Sequence, residues 1–219
     1  MTSMNHWQDA WELQEDVCPC DVHFNEWLER RSMRGKTIYH FGTGTHHVVG
    51  RRQASNGSNN VVFAITASKP EHQAYVEWAS DNPRLSKAYL AYFGDIYLTN
   101  PALLPEFDVI SMFHLCEFFL PNTAHADYGG LTDRQLLDAM TSRLKPGGYM
   151  LFYERSFAAE GAAPVIRDWA RTNPVKRGER FKTLLVYRKR PMASVELPVQ
   201  NGAHATAARR PWYRALFGN

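Results

Sequence analysis

The sequence predicts an α/β fold in which a mostly parallel sheet carries helices on both faces. Apolar runs such as 61–65 are continuous rather than alternating, which is typical of strands buried on both sides. These runs alternate with helical patterns along residues 36–190, and such alternation favours right-handed crossovers between parallel strands. A Gly-Thr-Gly turn follows the first run directly. Together these observations predict a Rossmann-like, doubly wound sheet, for which we expect seven strands.

Residues 1–35 are predicted to form a helical extension in front of this domain. Aromatic and leucine side chains recur near helical spacing over 5–34, with a break at Pro19. Two interpretations stay open at this point. The extension is either a pair of helices that packs on the edge of the sheet or a lid that covers a ligand.

The first half of the domain begins with a strand over 37–41 and the turn Gly42-Thr43-Gly44. A helix is predicted over 45–54 and, after a loop at 56–60, a second strand over 61–65. Ser68 can cap the next helix and Pro70 suits its first turn, so this helix is predicted to begin there and to run through Ala79.

The second half contains the clearest helix, over 131–144. Thr132 can cap it, and Gln135 stands three residues later as the partner in a capping box. The turn Lys145-Pro146-Gly147-Gly148 ends it. The other predicted elements are strands over 89–93, 107–112, 149–153 and 181–188, and a helix over 162–171.

Residues 191–219 differ from the rest in composition. Proline and glycine interrupt them, an alanine-rich stretch follows, and the end is basic and aromatic. They are interpreted either as a flexible tail or as a short segment that docks on a protein partner, an acidic surface or the protein's own sheet.

Composition narrows the classes of function. The 219 residues are 44% hydrophobic and 21% charged, with a formal net charge of +3, which is too mild a charge to indicate nucleic acid as a partner. Three cysteines without regular spacing argue against a disulfide scaffold and favour a reducing compartment. No apolar run is long enough for a membrane span or a signal peptide. We therefore expect a cytoplasmic protein without a membrane partner.

Four segments carry a resemblance to a known family. They are His40-Phe41-Gly42-Thr43-Gly44-Thr45, Gly94-Asp95-Ile96, Phe107-Asp108-Val109-Ile110 and Leu144-Lys145-Pro146-Gly147-Gly148. In this order and spacing the chain resembles the class I S-adenosylmethionine-dependent methyltransferases over about residues 36–190.

The resemblance implies S-adenosylmethionine (SAM) as cofactor, with its methionine part at the glycine turn and its adenine near Asp95. Two acids usual in the family are replaced here, by His40 before the turn and by Thr66 at the end of the second strand, and His46 replaces the usual third glycine. Threonine accepts hydrogen bonds without the strength of a carboxylate. The cofactor-binding residues implied are His40, Gly42, Thr43, Gly44, Thr45, Thr66, Asp95, Ile96 and Phe113.

The expected reaction is transfer of a methyl group to a small-molecule acceptor. Methyl transfer depends largely on positioning, but an acceptor with an acidic proton needs a base. His114, just past the fourth strand, is the candidate catalytic base because histidine titrates near neutral pH, with Glu117 and Glu154 as lesser candidates. The competing interpretation of His114 is a rim histidine that is hydrogen-bonded to backbone.

Two other functions stay open. The replaced acids are compatible with a methyltransferase-like protein that has lost turnover and acts in binding or assembly. A nicotinamide dinucleotide site would need a third glycine and an acid at the end of the second strand, where this chain has His47 and Thr66. A metal is not expected, since the spacing of Cys18, Cys20 and His23 fits no common zinc site.

Overall fold

The computed structural model describes residues 4–118 and 129–191. Its five helices are α1 (Cys20–Arg30), α2 (Val48–Ser55), α3 (Lys69–Asp81), α4 (Asp133–Arg143) and α5 (Ala159–Thr172). Its seven strands are β1 (Thr37–Phe41), β2 (Val61–Thr66), β3 (Tyr89–Phe93), β4 (Phe107–Ser111), β5 (Leu144–Tyr153), β6 (Val175–Arg177) and β7 (Leu184–Lys189).

The strands form one sheet in the order β3-β2-β1-β4-β5-β7-β6. The first five strands run parallel to one another, and β7 is antiparallel to β5 and to β6. The predicted sheet is therefore confirmed in its size and in its parallel half, but the sheet is mixed. The strand β6 was not predicted, because only Val175 of its three residues is buried and its sequence lacks an apolar run.

Helices cover both faces of the sheet, as predicted. On one face, Leu136 and Met140 of α4 and Trp169 of α5 are buried in one core cluster. On the other face, Phe24 and Trp27 of α1 are buried in a second cluster. Burial of the strands from both sides explains why they appear in the sequence as continuous apolar runs.

The prediction of helix over 5–34 is wrong for its first part. Only α1 is helical, and residues 8–14 have no regular structure, while Trp7 forms an isolated β-bridge with Ser68. The helix-like spacing of Trp7 and Trp11 has another cause, since both rings make edge contacts with Phe118, at 5.6 and 5.8 Å between centroids. Tertiary packing of an extended segment produced the pattern, so α1 packs on the sheet while the segment before it crosses the carboxyl edge.

Local signals for the helix starts are confirmed at two places. Ser68 Oγ accepts a hydrogen bond from the backbone N–H of Glu71, and Thr132 forms the full capping box with Gln135. The helix predicted from 45 begins only at Val48, because His47 has the left-handed backbone conformation with φ +47°.

In the described residues, no helix combines the length and the apolar composition that crossing a bilayer requires. The tail predicted to dock or to be flexible lies outside the described residues from 192 onward. The division into an extension, a central domain and a tail stays a prediction.

Candidate functional site

A cavity of about 620 Å³ opens at the carboxyl ends of the parallel strands. Ligands of doubly wound sheets bind at this edge, and the volume lies within the range of small-molecule sites. Seven of the predicted site residues line it, namely Gly42, Thr43, Gly44, Thr66, Asp95, Ile96 and His114.

The glycine turn after β1 is needed for its conformation and for its space. Gly42 and Gly44 have φ of +84° and +54°, a region that side-chain-bearing residues rarely adopt. A Cβ on Gly42 would lie 2.7 Å from Cδ2 of His114, and one on Gly44 would lie 2.8 Å from the carbonyl oxygen of Trp11. The absence of both side chains therefore lets His114, His46 and the Trp11 backbone pack directly against the turn.

Thr45 stands next to the turn but does not line the cavity. Its backbone N–H and its hydroxyl both donate to the carbonyl oxygen of Trp11, at 2.8 and 3.3 Å. The helix α2 begins only at Val48, three residues later. The amide of Thr45 is therefore not in the first turn of a helix, and it bonds to the N-terminal segment instead. The expectation that a helix N-terminus follows the turn directly is wrong.

A buried carboxylate lies where the sequence shows only threonines. Glu71, at the start of α3, accepts hydrogen bonds from the hydroxyls of Thr66 at 2.6 Å and Thr43 at 3.1 Å, and it lines the cavity. Burial raises the pKa of Glu71, and these hydrogen bonds together with one from the backbone of Trp11 offset part of that rise. A carboxylate thus lies within hydrogen-bond distance of Thr66, the position where the resemblance expects an acid.

Glu71 belongs to the sequence pattern Ser68-x-x-Glu71, which by itself predicts only the start of a helix. In the pattern Ser68-x-x-Glu71 the glutamate usually bonds back to the N–H of the capping serine. Here the N–H of Ser68 donates to Thr66 Oγ1 at 3.0 Å, and the Glu71 carboxylate faces the cavity.

His47 holds the start of α3 in place without lining the cavity. Its Nε2–H donates to the carbonyl oxygen of Glu71 at 2.8 Å, so its Nδ1 accepts from the hydroxyl of Tyr89 at 2.7 Å. Burial lowers the pKa of His47 to about 4, which keeps the ring neutral in this role. Its neighbour His46 is the one of the pair that lines the cavity.

Asp95 follows β3 and is buried, with 7% of its surface exposed. Its Oδ1 accepts a hydrogen bond from the N–H of Tyr97 at 2.9 Å, which fixes the carboxylate at the rim beside Ile96. Both residues stand at the edge where the resemblance expects the adenine.

His40 and Phe113 do not line the cavity. The ring of Phe113 packs edge-on against Phe24 in the core, at 5.4 Å, and against His40. The Nδ1 of His40 bonds to the hydroxyl of Ser111 at 2.8 Å, and its Nε2 lies 3.5 Å from Asp21 Oδ1. Both side chains point from the strand edge into the face covered by α1, so they support the cavity from behind.

Asp21 is a second carboxylate that sequence reasoning missed. It stands in the first turn of α1, lines the cavity, and has its carboxylate oxygens 3.5 Å from Nε2 of His40 and 3.9 Å from Nε2 of His46. Burial raises the pKa of Asp21, but the contacts with His40, His46 and His114 together hold it below its ordinary value. No motif in the sequence connects residue 21 with this cavity.

His114 lines the cavity and forms a pair with Glu117. Its Nδ1 lies 2.9 Å from Oε2 of Glu117, and the Nε2 edge of the ring lies beside Gly42. Burial lowers the pKa of His114, but the hydrogen bond and the charge of Glu117 raise it above its ordinary value. When Nδ1–H donates to Glu117, the neutral ring presents Nε2 as a proton acceptor. The third candidate base, Glu154, forms an ion pair with Arg180 and does not line the cavity.

Two thiols lie beside this pair. The Sγ atoms of Cys18 and Cys20 are 3.5 Å apart, and the hydrogen bond from Cys20 lowers the pKa of Cys18 to about 6 despite burial. No group of three or more metal-binding side chains occurs within residues 4–118 and 129–191.

No protein-family model matches the chain, and no curated protein matches it by sequence. Solved structures do match. A SAM-dependent methyltransferase from Aquifex aeolicus has a TM-score of 0.52 at 16% identity, covering 80% of this chain and 93% of that one. A methyltransferase from Pyrococcus furiosus has 0.51 at 17%, covering 78% and 83%. The [4+2]-cyclase SpnF has 0.54 at 13%, covering 86% and 88%.

The match is partial for two longer proteins. This chain spans 34% of the length of coclaurine N-methyltransferase, at a TM-score of 0.45 and 17% identity. It spans 48% of the length of TrmN from Thermus thermophilus, at 0.52 and 14%. Identities of this size establish the architecture alone. The chain has the fold of the class I SAM-dependent methyltransferases.

Proposed function

We propose that the protein is a SAM-dependent methyltransferase that acts on a small molecule. One observation carries the proposal: a single cavity contains the Gly42–Gly44 turn, the Thr66–Glu71 pair and Asp95. These are the places where the family holds the methionine, ribose and adenine parts of the cofactor. The fold matches and the volume of the cavity support the same assignment.

The residues present suit SAM. Gly42 and Gly44 present bare backbone on the cavity wall, and a Cβ on either would collide with a neighbouring ring, that of His114 or His46. Glu71 and Asp95 are buried carboxylates that can accept hydrogen bonds from sugar hydroxyls or an adenine amino group. SAM would supply a methyl group bonded to a positively charged sulfur. The acceptor's lone pair would attack this methyl carbon, and the sulfur would leave with the electrons of the S–C bond.

The chain's own contribution is to position the acceptor and to move one proton. His114 is placed to take that proton at Nε2, while Glu117 orients the ring and stabilises the imidazolium that forms. Trp7, Trp11, Phe41 and Phe118 exclude water from the cavity wall.

Calorimetry with S-adenosylhomocysteine (SAH) tests the cofactor site. We expect SAH to bind, and Glu71→Gln to weaken binding by about 1.5–3 kcal/mol, the usual size of a hydrogen bond to a charged group. Glu77→Gln is the matched control, since Glu77 is on the same helix and bonds only to Gln73 among the described residues. Equal losses in both variants would contradict the placement of the ribose at Glu71.

A second candidate function is a methyltransferase-like binding protein without turnover. The observation that favours it is the backbone of Trp11. Its carbonyl oxygen accepts a hydrogen bond from the Thr45 amide, and its N–H donates to Glu71. Both of these groups would otherwise be available to a cofactor. A folded protein that shows no heat with millimolar SAH and releases no SAH from SAM with any acceptor would support this alternative.

A further inference from the structure

Acidic side chains outnumber basic ones in the described cavity lining, where the basic side chains are His46 and His114. Five carboxylates line it, from Glu12, Asp21, Glu71, Asp95 and Glu117. No lysine or arginine is among its described lining residues, although the whole chain has a formal net charge of +3. A cleft lined by one sign of charge concentrates ligands of the opposite sign.

The segment that crosses the cavity has the same sign. Residues 4–18 contain Asp9, Glu12, Glu15 and Asp16, all exposed, and neither lysine nor arginine. Two residues of this segment are hydrogen-bonded to the edge of the cavity. Ser68 Oγ donates to the carbonyl oxygen of Asp9 at 2.6 Å, and the Thr45 N–H donates to the carbonyl oxygen of Trp11 at 2.8 Å. An incoming ligand therefore passes an acidic rim.

One group of basic residues lies at the other end of the sheet. Arg30, Arg31, Arg34 and Lys36 all come before β1 and so lie at its amino edge. The guanidinium of Arg31 stacks on the rings of Trp27 and Tyr149 there, at 5.7 and 5.6 Å. This group is separated from the cavity by the length of the strands, so it does not guide the phosphates of a nucleic acid into the cavity.

The mouth of the cavity adds aromatic rings to these carboxylates. Trp11 is 44% exposed and Phe157 is 95% exposed, and both line the cavity. Aromatic faces attract cations as well as apolar groups, and carboxylates attract cations alone. Anionic acceptors gain nothing from either group.

We propose that the methyl acceptor is a cationic small molecule, a protonated amine joined to an aromatic or apolar body. This inference rests on the proposed methyltransferase function and assigns its substrate class. The ammonium binds among the carboxylates and loses one proton to Nε2 of His114. The freed lone pair forms the new N–C bond while the S–C bond breaks and leaves its electron pair on sulfur, so the positive charge passes from sulfur to nitrogen.

Three probes of nearly equal shape test the charge preference: 2-phenylethylamine, 3-phenylpropionate and the neutral 3-phenylpropanol. Their affinities for the SAH-saturated protein are measured by calorimetry or ligand-observed NMR. We expect the amine to bind about tenfold more tightly than the carboxylate, from several weak charge contacts and a cation–π contact together, with the alcohol between them. Added salt should narrow the difference.

Glu12 gives the matched variants, because it is the exposed carboxylate of the lining. Glu12→Lys should remove most of the preference for the amine. Glu15→Lys changes the same charge on the same exposed segment, but Glu15 does not line the cavity, so the preference should fall much less.

The outcomes separate this inference from the proposed function. If SAH binds and the carboxylate binds as tightly as the amine, or none of the probes binds at millimolar concentration, the substrate class is wrong and the cofactor site stands. Micromolar binding of bulk tRNA to the SAH-saturated protein overturns it as well. If SAH does not bind, the methyltransferase function fails and the acceptor assignment fails with it.

Discussion

The two walls of the cavity are built in different ways. The turn wall, formed by Gly42, Thr43 and Gly44 after β1, is a local structure whose conformation depends on glycine backbone. The histidine wall, formed by His114, Glu117 and Phe118 after β4, depends on contacts between distant segments, since Phe118 packs on Trp7 and Trp11. A local motif is visible in the sequence, whereas a wall assembled from distant segments is visible only in the fold.

The largest effect is expected at the place where the two walls touch. In Gly42→Val the side chain would meet the ring of His114, so SAH binding should weaken about 100-fold or more while the protein stays folded. Gly57→Val is the matched control, because Gly57 has φ +69° but nothing within 4 Å of its Cβ position. Calorimetry with SAH and thermal melting of both variants separate lost binding from backbone strain. Unchanged binding in Gly42→Val would remove the turn wall from the cofactor site.

A substitution at Asp95 tests the proposed adenine end of the cavity. Asp95→Ala removes the carboxylate that accepts a hydrogen bond from the Tyr97 N–H and that lies at the proposed adenine position. SAH binding should weaken by about 1–3 kcal/mol, the cost of an unsatisfied buried partner. Asp81→Ala, at the exposed end of α3, serves as the control. A loss of similar size in both variants would speak against a role for Asp95 in binding.

The histidine wall is tested by pH. His114 accepts a proton only when neutral, and its pKa is raised by Glu117, so the rate of methyl transfer should rise with pH through a midpoint above the ordinary histidine value. Glu117→Gln removes that charge and should move the midpoint to lower pH. The measurement is kcat against pH with an amine acceptor. A midpoint that stays in place in Glu117→Gln, or a rate independent of His114→Ala, would exclude His114 as the base.

The smallest effect is expected at Thr45. Its hydroxyl bonds to the Trp11 carbonyl at 3.3 Å, while its N–H makes the shorter bond of 2.8 Å to the same oxygen. Thr45→Val keeps the N–H, so SAH binding should change by less than about 0.5 kcal/mol, as at other surface positions. A loss comparable to that of Asp95→Ala would return Thr45 to the binding residues.

The sequence predicted most of the fold for identifiable reasons. Strands buried on both faces produce continuous apolar runs. Ser68 and Thr132 cap helices through hydrogen bonds to residues only three positions further along the sequence. The errors have causes too. Trp7 and Trp11 have helical spacing because they share a contact with Phe118, and β6 has too few buried residues to produce a pattern.

For the candidate site, the positions at strand ends were predictable, whereas the carboxylates of Glu71 and Asp21 were not. Gly42, Thr66 and Asp95 line the cavity because parallel strands end at one edge. His40 occupies such a position as well, but its side chain points into the face under α1. Alternation along a strand decides this direction, and a one-residue difference at the strand end reverses it.

The sequence by itself determined the order of strands and helices, the glycine turn and the helix caps, because each depends on neighbours a few residues away. Only the tertiary structure decided which charges meet. Asp21, Glu71 and Glu117 come from three separate elements and share a cavity because the carboxyl ends of parallel strands converge there. Electrostatic interactions depend on the distance between charges in space, and the separation of two residues along the chain does not give that distance.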